Sequence, residues 1–89
     1  MKTREEIIRM IEDGIRTEEV VRSDYENGRT AYKDYLGIRR NLKHQLDSLL
    51  WVVGVRKCYY DYWTIEETFM RAKQWLALLD NANTIHSFV

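Results

Sequence analysis

The chain has 89 residues, which gives room for one hydrophobic core and therefore for one domain over residues 1–89. Hydrophobic residues make up 45% of the chain and charged residues 31%, a balance typical of folded globular proteins that excludes a disordered chain. The formal net charge is zero, so the molecule as a whole is not drawn to nucleic acid or to anionic lipid.

This zero net charge is distributed unevenly along the chain. Residues 1–27 carry five basic and eight acidic groups (net −3), and residues 28–58 carry seven basic and two acidic groups (net +5). Residues 59–89 carry two basic and four acidic groups (net −2). Such a chain neutralises itself when the three segments pack side by side, and it can do the same by pairing with a second copy.

Cysteine content and hydropathy indicate the cellular compartment in which the protein is expected. Cys58 is the single cysteine, so the chain forms no internal disulfide and no cysteine metal cluster, which favours a reducing compartment. The charged N-terminus does not have the form of a signal peptide. The longest apolar run, from Leu49 to Val55, is far shorter than the roughly 20 residues that a membrane-spanning helix needs. We therefore expect a cytoplasmic protein with no membrane partner.

The first predicted element is a short N-terminal helix. Thr3 and Glu6 have the form of a capping box, in which a hydroxyl and a carboxylate satisfy free amides of the first turn. Four isoleucines follow at helical spacing, at positions 7, 8, 11 and 15. Gly14 is expected to weaken or end this helix, and Thr17 offers a second start.

A heptad pattern from Val21 onward predicts a long central helix. Its positions recur in alternating steps of four and three, at Val21, Tyr25, Gly28, Tyr32, Tyr35, Arg39, Leu42, Leu46, Leu49 and Val53. Because Asn27-Gly28 is also a turn signal, a continuous coiled-coil helix and a break with a restart near Thr30 are equally supported. A helix over residues 30–53 is predicted in both cases.

An aromatic connector and a final helix complete the chain. The connector, residues 56–63, is too aromatic for a simple solvent loop, so some of its rings are buried or contact a partner. Thr64 and Glu67 repeat the capping-box form, and an apolar stripe then runs to Leu79, with residues 80–83 ending the helix. The predicted fold is all-α: a small helical bundle with one long central helix and an antiparallel C-terminal helix, completed by oligomerisation. The long seam is expected to pair in a homodimer or higher oligomer.

No catalytic, metal or cofactor signature is found. Gly-rich phosphate loops and the HExxH, CxxC and GxSxG motifs are absent from the sequence. His44, Asp47 and Ser48 share a helix face, but side chains on one straight helix do not converge as a catalytic triad requires. The glutamate pairs at positions 5/6, 18/19 and 66/67 are interpreted as first-turn residues that complement helix dipoles. We expect no enzyme, no catalytic residues, no metal and no cofactor.

A basic stripe beside tyrosines is one candidate binding surface. Cations next to aromatic rings hold phosphates and stack bases. The candidate anion or nucleotide contacts, near one face of the long helix, are Arg22, Arg29, Lys33, Arg40 and Lys43. A solvated face with ordinary intrahelical pairs to Glu26 and Asp47 explains the stripe more simply.

The aromatic inventory gives a second candidate surface. Six Tyr, three Trp and two Phe are more than a small bundle can bury, and Tyr, Trp and Arg are enriched at interface hot spots. Arg39 sits where the seam expects an apolar residue. It needs an acidic partner in the N-terminal segment or in another subunit, unless it reaches water. The candidate protein-interface residues are Tyr25, Tyr32, Tyr35, Arg39, Trp51, Tyr59, Tyr60, Tyr62 and Trp63.

These features favour a non-enzymatic protein-interaction module, a homo-oligomeric adaptor or inhibitor that binds itself and masks a larger protein. Small, proline-free, Tyr-rich helical proteins are common among phage accessory and counter-defence proteins, which is an expectation about a class only. The alternative is a sponge-like protein that binds a nucleotide or nucleic acid through the basic and tyrosine-rich helix face.

Overall fold

The chain forms three packed α-helices. A computed structural model describes the backbone of residues 3–57 and 62–87 and the side chains of residues 3–57 and 62–81. The helices are α1 (Arg4–Glu26), α2 (Tyr32–Val52) and α3 (Ile65–Ser87), and the described residues contain no strand. Each helix contacts the other two. The predicted all-α bundle, with a C-terminal helix that folds back onto the central one, is confirmed. None of the described helices has an apolar stretch that could cross a membrane.

α1 is one continuous helix of 23 residues, so the prediction of a short helix ending near Gly14 is wrong. The missing side chain of Gly14 lets α2 approach closely, since a Cβ built there lies 3.2 Å from Leu46 Cδ2. Thr17 starts no second helix; its hydroxyl donates to the Asp13 carbonyl at 2.8 Å, as mid-helix threonines do. The predicted start is confirmed, because the hydroxyl of Thr3 accepts from a first-turn amide at 3.2 Å.

The connection between α1 and α2 shows whether the helix continues across Gly28 or breaks there. α1 ends at Glu26 and α2 begins at Tyr32, so the helix breaks and the continuous coiled-coil interpretation is wrong. Gly28 has φ 75°, a left-handed conformation that glycine adopts without steric cost. The chain therefore reverses here, and the two halves of the heptad pattern lie against each other.

The hydrophobic core lies where the three helices meet. Its buried side chains come from all three helices and from the connector before α3: Ile11, Ile15, Leu46, Leu50, Trp63, Phe69 and Ala72. Leu42, Leu49 and Val53 of the predicted seam pack against this core while partly exposed. The apolar seam that was expected to pair with a second copy is thus covered by other parts of the same chain.

α3 begins as predicted and ends later than predicted. The amide of Glu67 donates to Thr64 Oγ1 at 3.1 Å, and the amide of Thr64 donates to Glu67 Oε1 at 3.5 Å, which completes the predicted capping box. The helix continues through residues 80–83 to Ser87, so the predicted end is wrong. That segment contains neither glycine nor proline, and its asparagines lower helix propensity without ending a helix.

Candidate functional site

The five predicted basic residues do not share one face. The helix break places Arg22 in α1, where it pairs with Glu18 at 2.7 Å, and Arg29 in the turn, where it pairs with Asp24 at 3.0 Å. The other three lie on α2. Lys43 is buried, whereas Lys33 and Arg40 are exposed and form no ion pair with any described residue.

Glu18 is a buried carboxylate that joins α1 to α2. It is fully buried, and both of its oxygens accept hydrogen bonds from Arg22 Nη2 at 2.7 Å. These hydrogen bonds raise the pKa of Arg22, and the Tyr35 hydroxyl adds a smaller effect in the same direction. Because Glu18 lies in the middle of α1, its interpretation as a first-turn dipole residue is wrong.

Arg39 finds the acidic partner that its seam position requires. Its Nε lies 3.3 Å from Glu18 Oε1, close enough for an ion pair although not aligned as a hydrogen bond. Its Nη2 donates to Glu66 Oε1 at 2.7 Å, so one guanidinium bridges all three helices. The guanidinium also lies between two aromatic rings, 5.4 Å from the centre of Tyr35 and 5.8 Å from that of Phe69. Arg39 is therefore part of this chain's own packing.

Two of the predicted interface aromatics, Tyr35 and Trp63, are buried inside the bundle. Tyr35 is buried and stacks on Tyr25 with ring centres 4.7 Å apart, and Tyr32 meets Tyr25 at 5.7 Å. Trp63 is buried, and two guanidiniums lie near its ring, Arg56 at 5.1 Å and Arg71 at 4.6 Å from the ring centre. Of the remaining candidates, Tyr59 and Tyr60 lie outside the described residues, as does Cys58.

The two other predicted aromatics, Trp51 and Tyr62, line a cleft. It lies beside the second half of α2 and has a volume of about 640 Å³. Its walls come from α2 and from the connector that follows it. The lining residues, here called the cleft, are Lys43, His44, Asp47, Ser48, Trp51, Val52, Arg56 and Tyr62.

A network around Asp47 holds two cations in the cleft. Asp47 accepts from Lys43 Nζ at 2.6 Å and lies 3.0 Å from Arg56 Nη1. The buried hydroxyl of Thr68 on α3 donates at 2.8 Å to Asp47 Oδ1, the same oxygen that faces Arg56, whereas Lys43 donates to Oδ2. The expected intrahelical pair to Asp47 is thus present, and it extends to the connector and to α3. Two cations therefore share this one carboxylate.

The rim of the cleft is apolar and exposed to solvent. Trp51 is 52% exposed, Val52 is 58% exposed and Tyr62 is 83% exposed. The ring centre of Tyr62 lies 5.7 Å from Lys43 Nζ, within the range of a cation–π contact. Large apolar side chains that are exposed side by side are typical of interaction surfaces.

The polar residues of the cleft do not form a catalytic set. Ser48 Oγ donates to the backbone carbonyl of His44 at 3.2 Å, and Asp47 is held by its cations and by Thr68. The three residues that share a helix face therefore make no nucleophile–base–acid chain in this arrangement. Within residues 3–57 and 62–81, no three His, Cys, Asp or Glu side chains lie close enough together to hold a metal ion.

Sequence reasoning missed three residues of this site. Arg56 and Thr68 reach Asp47 from outside α2, and no local spacing connects them to it. Val52 belongs to the apolar run that was considered only as a possible membrane segment. Val52 lies one residue before the seam position Val53 and is not itself a seam position, and this is the signal that indicates an exposed side chain.

Comparison with known proteins adds no relatives. No protein-family model matches this chain, and neither does any curated protein or any solved structure.

Proposed function

We propose that this chain is a non-enzymatic protein-interaction module, an adaptor or inhibitor that binds a larger protein through the cleft. The observation that carries the proposal is the exposed rim formed by Trp51, Val52 and Tyr62. Tryptophan and tyrosine contribute most to binding when a partner buries them at the centre of an interface. A folded helix and an adjoining segment present these side chains together.

The network beneath the rim favours specific binding. Lys43 and Arg56 are each held by Asp47, and Asp47 is held by the buried Thr68. Cations that are already fixed lose little conformational entropy when a partner arrives. Their charge then selects the partner and sets its orientation more than it adds affinity.

The proposal is tested by affinity capture with paired variants. Tagged wild-type protein, Trp51→Ala and Tyr62→Ala are used as baits in lysate of the source organism, and bound proteins are quantified by mass spectrometry. Tyr32→Ala is the matched control, because Tyr32 is 58% exposed but packs at the other end of α2. We expect a partner whose recovery falls about tenfold or more with each cleft variant, as loss of a hot spot of about 2 kcal/mol implies. Recovery that is the same with all four baits contradicts the proposal.

A nucleotide-class ligand is the second candidate, because one observation favours it. The cleft volume of about 640 Å³ lies within the range of about 300–1,000 Å³ typical of small-molecule sites. Lys43 and Arg56 lie beside two exposed rings, a combination that binds phosphate and stacks a base. This site differs from the predicted basic stripe, since it pairs the cations with Trp51 and Tyr62 instead of with Tyr25, Tyr32 and Tyr35.

Native mass spectrometry of gently purified protein separates the two candidates. A retained ligand adds a few hundred daltons for each site, and Lys43→Gln removes that added mass if the cleft holds it. A spectrum without added mass favours the protein partner.

A further inference from the structure

The outer face of α2 continues the cleft along the helix. Steps of seven, four and seven residues lead from Lys33 through Arg40 and His44 to Trp51, and such steps keep side chains on one face of a helix. All four side chains are exposed. We call Lys33, Gly37, Arg40 and His44 the outer face of α2.

The outer face and the cleft together carry a strong excess of positive charge. Lys33, Arg40, Lys43 and Arg56 are cationic, and Asp47 is the carboxylate among the residues that define these two surfaces. Asp47 is already shared by Lys43 and Arg56. Lys33 and Arg40 form no ion pair with any described residue, so their charge is available to a partner.

Gly37 leaves the outer face open between its two cations. A Cβ built at Gly37 meets no atom within 4 Å, and the residue is exposed. The absent side chain lowers the helix surface between Lys33 and Arg40, which allows the backbone of a partner to approach the helix.

We propose that the outer face of α2 and the cleft form one groove for an acidic segment of the partner protein. An apolar side chain of that segment enters between Trp51 and Tyr62, and its carboxylates pair with Arg40 and Lys33. This inference rests on the proposed function and names the chemistry of the partner. The rise from Lys33 to Trp51 is about 27 Å at about 1.5 Å per residue, which about eight extended partner residues cover.

Two observations favour an acidic protein segment over nucleic acid. The net charge of the chain is zero, whereas proteins whose affinity for nucleic acid comes from phosphate contacts typically carry an excess of basic residues. The aliphatic side chain of Val52 also lines the cleft beside Trp51 and Tyr62, where an apolar peptide side chain finds contact and a phosphate backbone does not.

The test is a selection of peptides on the full chain. Random peptides of about twelve residues, longer than the about eight that the groove accommodates, are displayed on phage and selected on wild-type protein. We expect enriched peptides to carry an excess of Asp and Glu around at least one aromatic or aliphatic residue. The best peptide is then synthesised, and its affinity is measured by isothermal titration calorimetry, a readout that does not depend on Trp51.

Charge-reversal variants locate the binding of that peptide. We expect Lys33→Glu with Arg40→Glu to weaken it about tenfold or more, and Trp51→Ala to weaken it similarly. Arg9→Glu, an exposed charge reversal on α1, is the matched control and leaves affinity unchanged. Raising the salt from about 0.1 M to about 1 M shortens the screening length from about 10 Å to about 3 Å, so affinity falls in wild type.

The outcomes distinguish this inference from the function on which it rests. Peptides that need Trp51 and Tyr62 without an excess of acidic residues overturn the acidic segment and leave the interaction module in place. If no selected peptide depends on Trp51 or Tyr62, both proposals fail. A single-stranded DNA of about twelve nucleotides that binds more tightly than the best peptide, and is weakened by Arg40→Glu, assigns the groove to nucleic acid instead.

Discussion

Two carboxylates, the buried Glu18 and the partly buried Asp47, organise the polar interior, and each pairs with two cations. Glu18 pairs with Arg22 on its own helix and joins α1 to α2 through Arg39, and Asp47 joins α2 to the connector through Arg56. Such carboxylates are stabilising only while their partners remain, because an unpaired charge in a protein interior is costly. The packing of the helices and the connector therefore depends on the single residues Glu18 and Asp47.

Removing the charge of Glu18 is expected to destabilise the fold. Glu18→Gln keeps the size of the side chain but removes the charge that compensates Arg39, whose side chain is 12% exposed. We expect the free energy of unfolding to fall by about 3 kcal/mol, measured by urea denaturation followed by circular dichroism. Glu19→Gln, at the exposed neighbouring position, is the control and changes it by less than about 0.5 kcal/mol. Equal stability of the two variants contradicts the role assigned to Glu18.

At the scale of the helices, two glycines illustrate how context decides the effect of one residue type. Gly14 lies where α1 meets α2, with Leu46 Cδ2 3.2 Å from the position of a Cβ. Gly37 lies inside α2 with open space around it. Both lower helix propensity, but only Gly14 returns a benefit through close packing.

Substitutions at the two glycines are therefore expected to have opposite signs. Gly14→Val forces a branched side chain against the buried Leu46, and we expect a loss of about 1–3 kcal/mol of unfolding free energy from overpacking. Gly37→Ala removes backbone freedom without a clash, and we expect a gain of about 0.5–1 kcal/mol. Thermal denaturation monitored by circular dichroism measures both changes. A stabilised Gly14→Val variant contradicts the close approach of α1 and α2.

The sequence predicts the elements that depend on local signals, and it does not predict features that depend on tertiary contacts. α2 and the start of α3 follow from heptad spacing and a capping box, which are local signals. Gly14 misled the prediction of α1 because its partner, Leu46, is 32 positions away in the chain. In the cleft, the spacing of Lys43 and Asp47 indicates their ion pair, but Arg56 and Thr68 join it only through the packing of other elements. Tertiary contacts of this kind leave no pattern in the sequence.

At the scale of the whole molecule, the three charged segments partly neutralise one another within the chain. Glu18 of the acidic first segment and Glu66 of the acidic last segment both pair with Arg39 of the basic middle segment. The sequence allowed the charges to balance within one chain or between two copies, and these ion pairs balance them within one chain. It uses the middle of α2 and leaves Lys33 and Arg40 exposed.

Self-association of this chain cannot use the apolar seam of α2, because that seam is covered within the same chain. α1 and α3 occupy the apolar seam of α2, so contact with a second copy depends on other apolar side chains, such as Leu78 at 66% exposure and Val20 at 56%. A chain of 89 residues builds only a small core, and association is a common source of further stability for such chains. We expect native mass spectrometry to give an integer multiple of 10.8 kDa, with the multiple falling on dilution. A monomer at every concentration contradicts this expectation but leaves the cleft accessible, so the proposed partner site then stands or falls on its own variants.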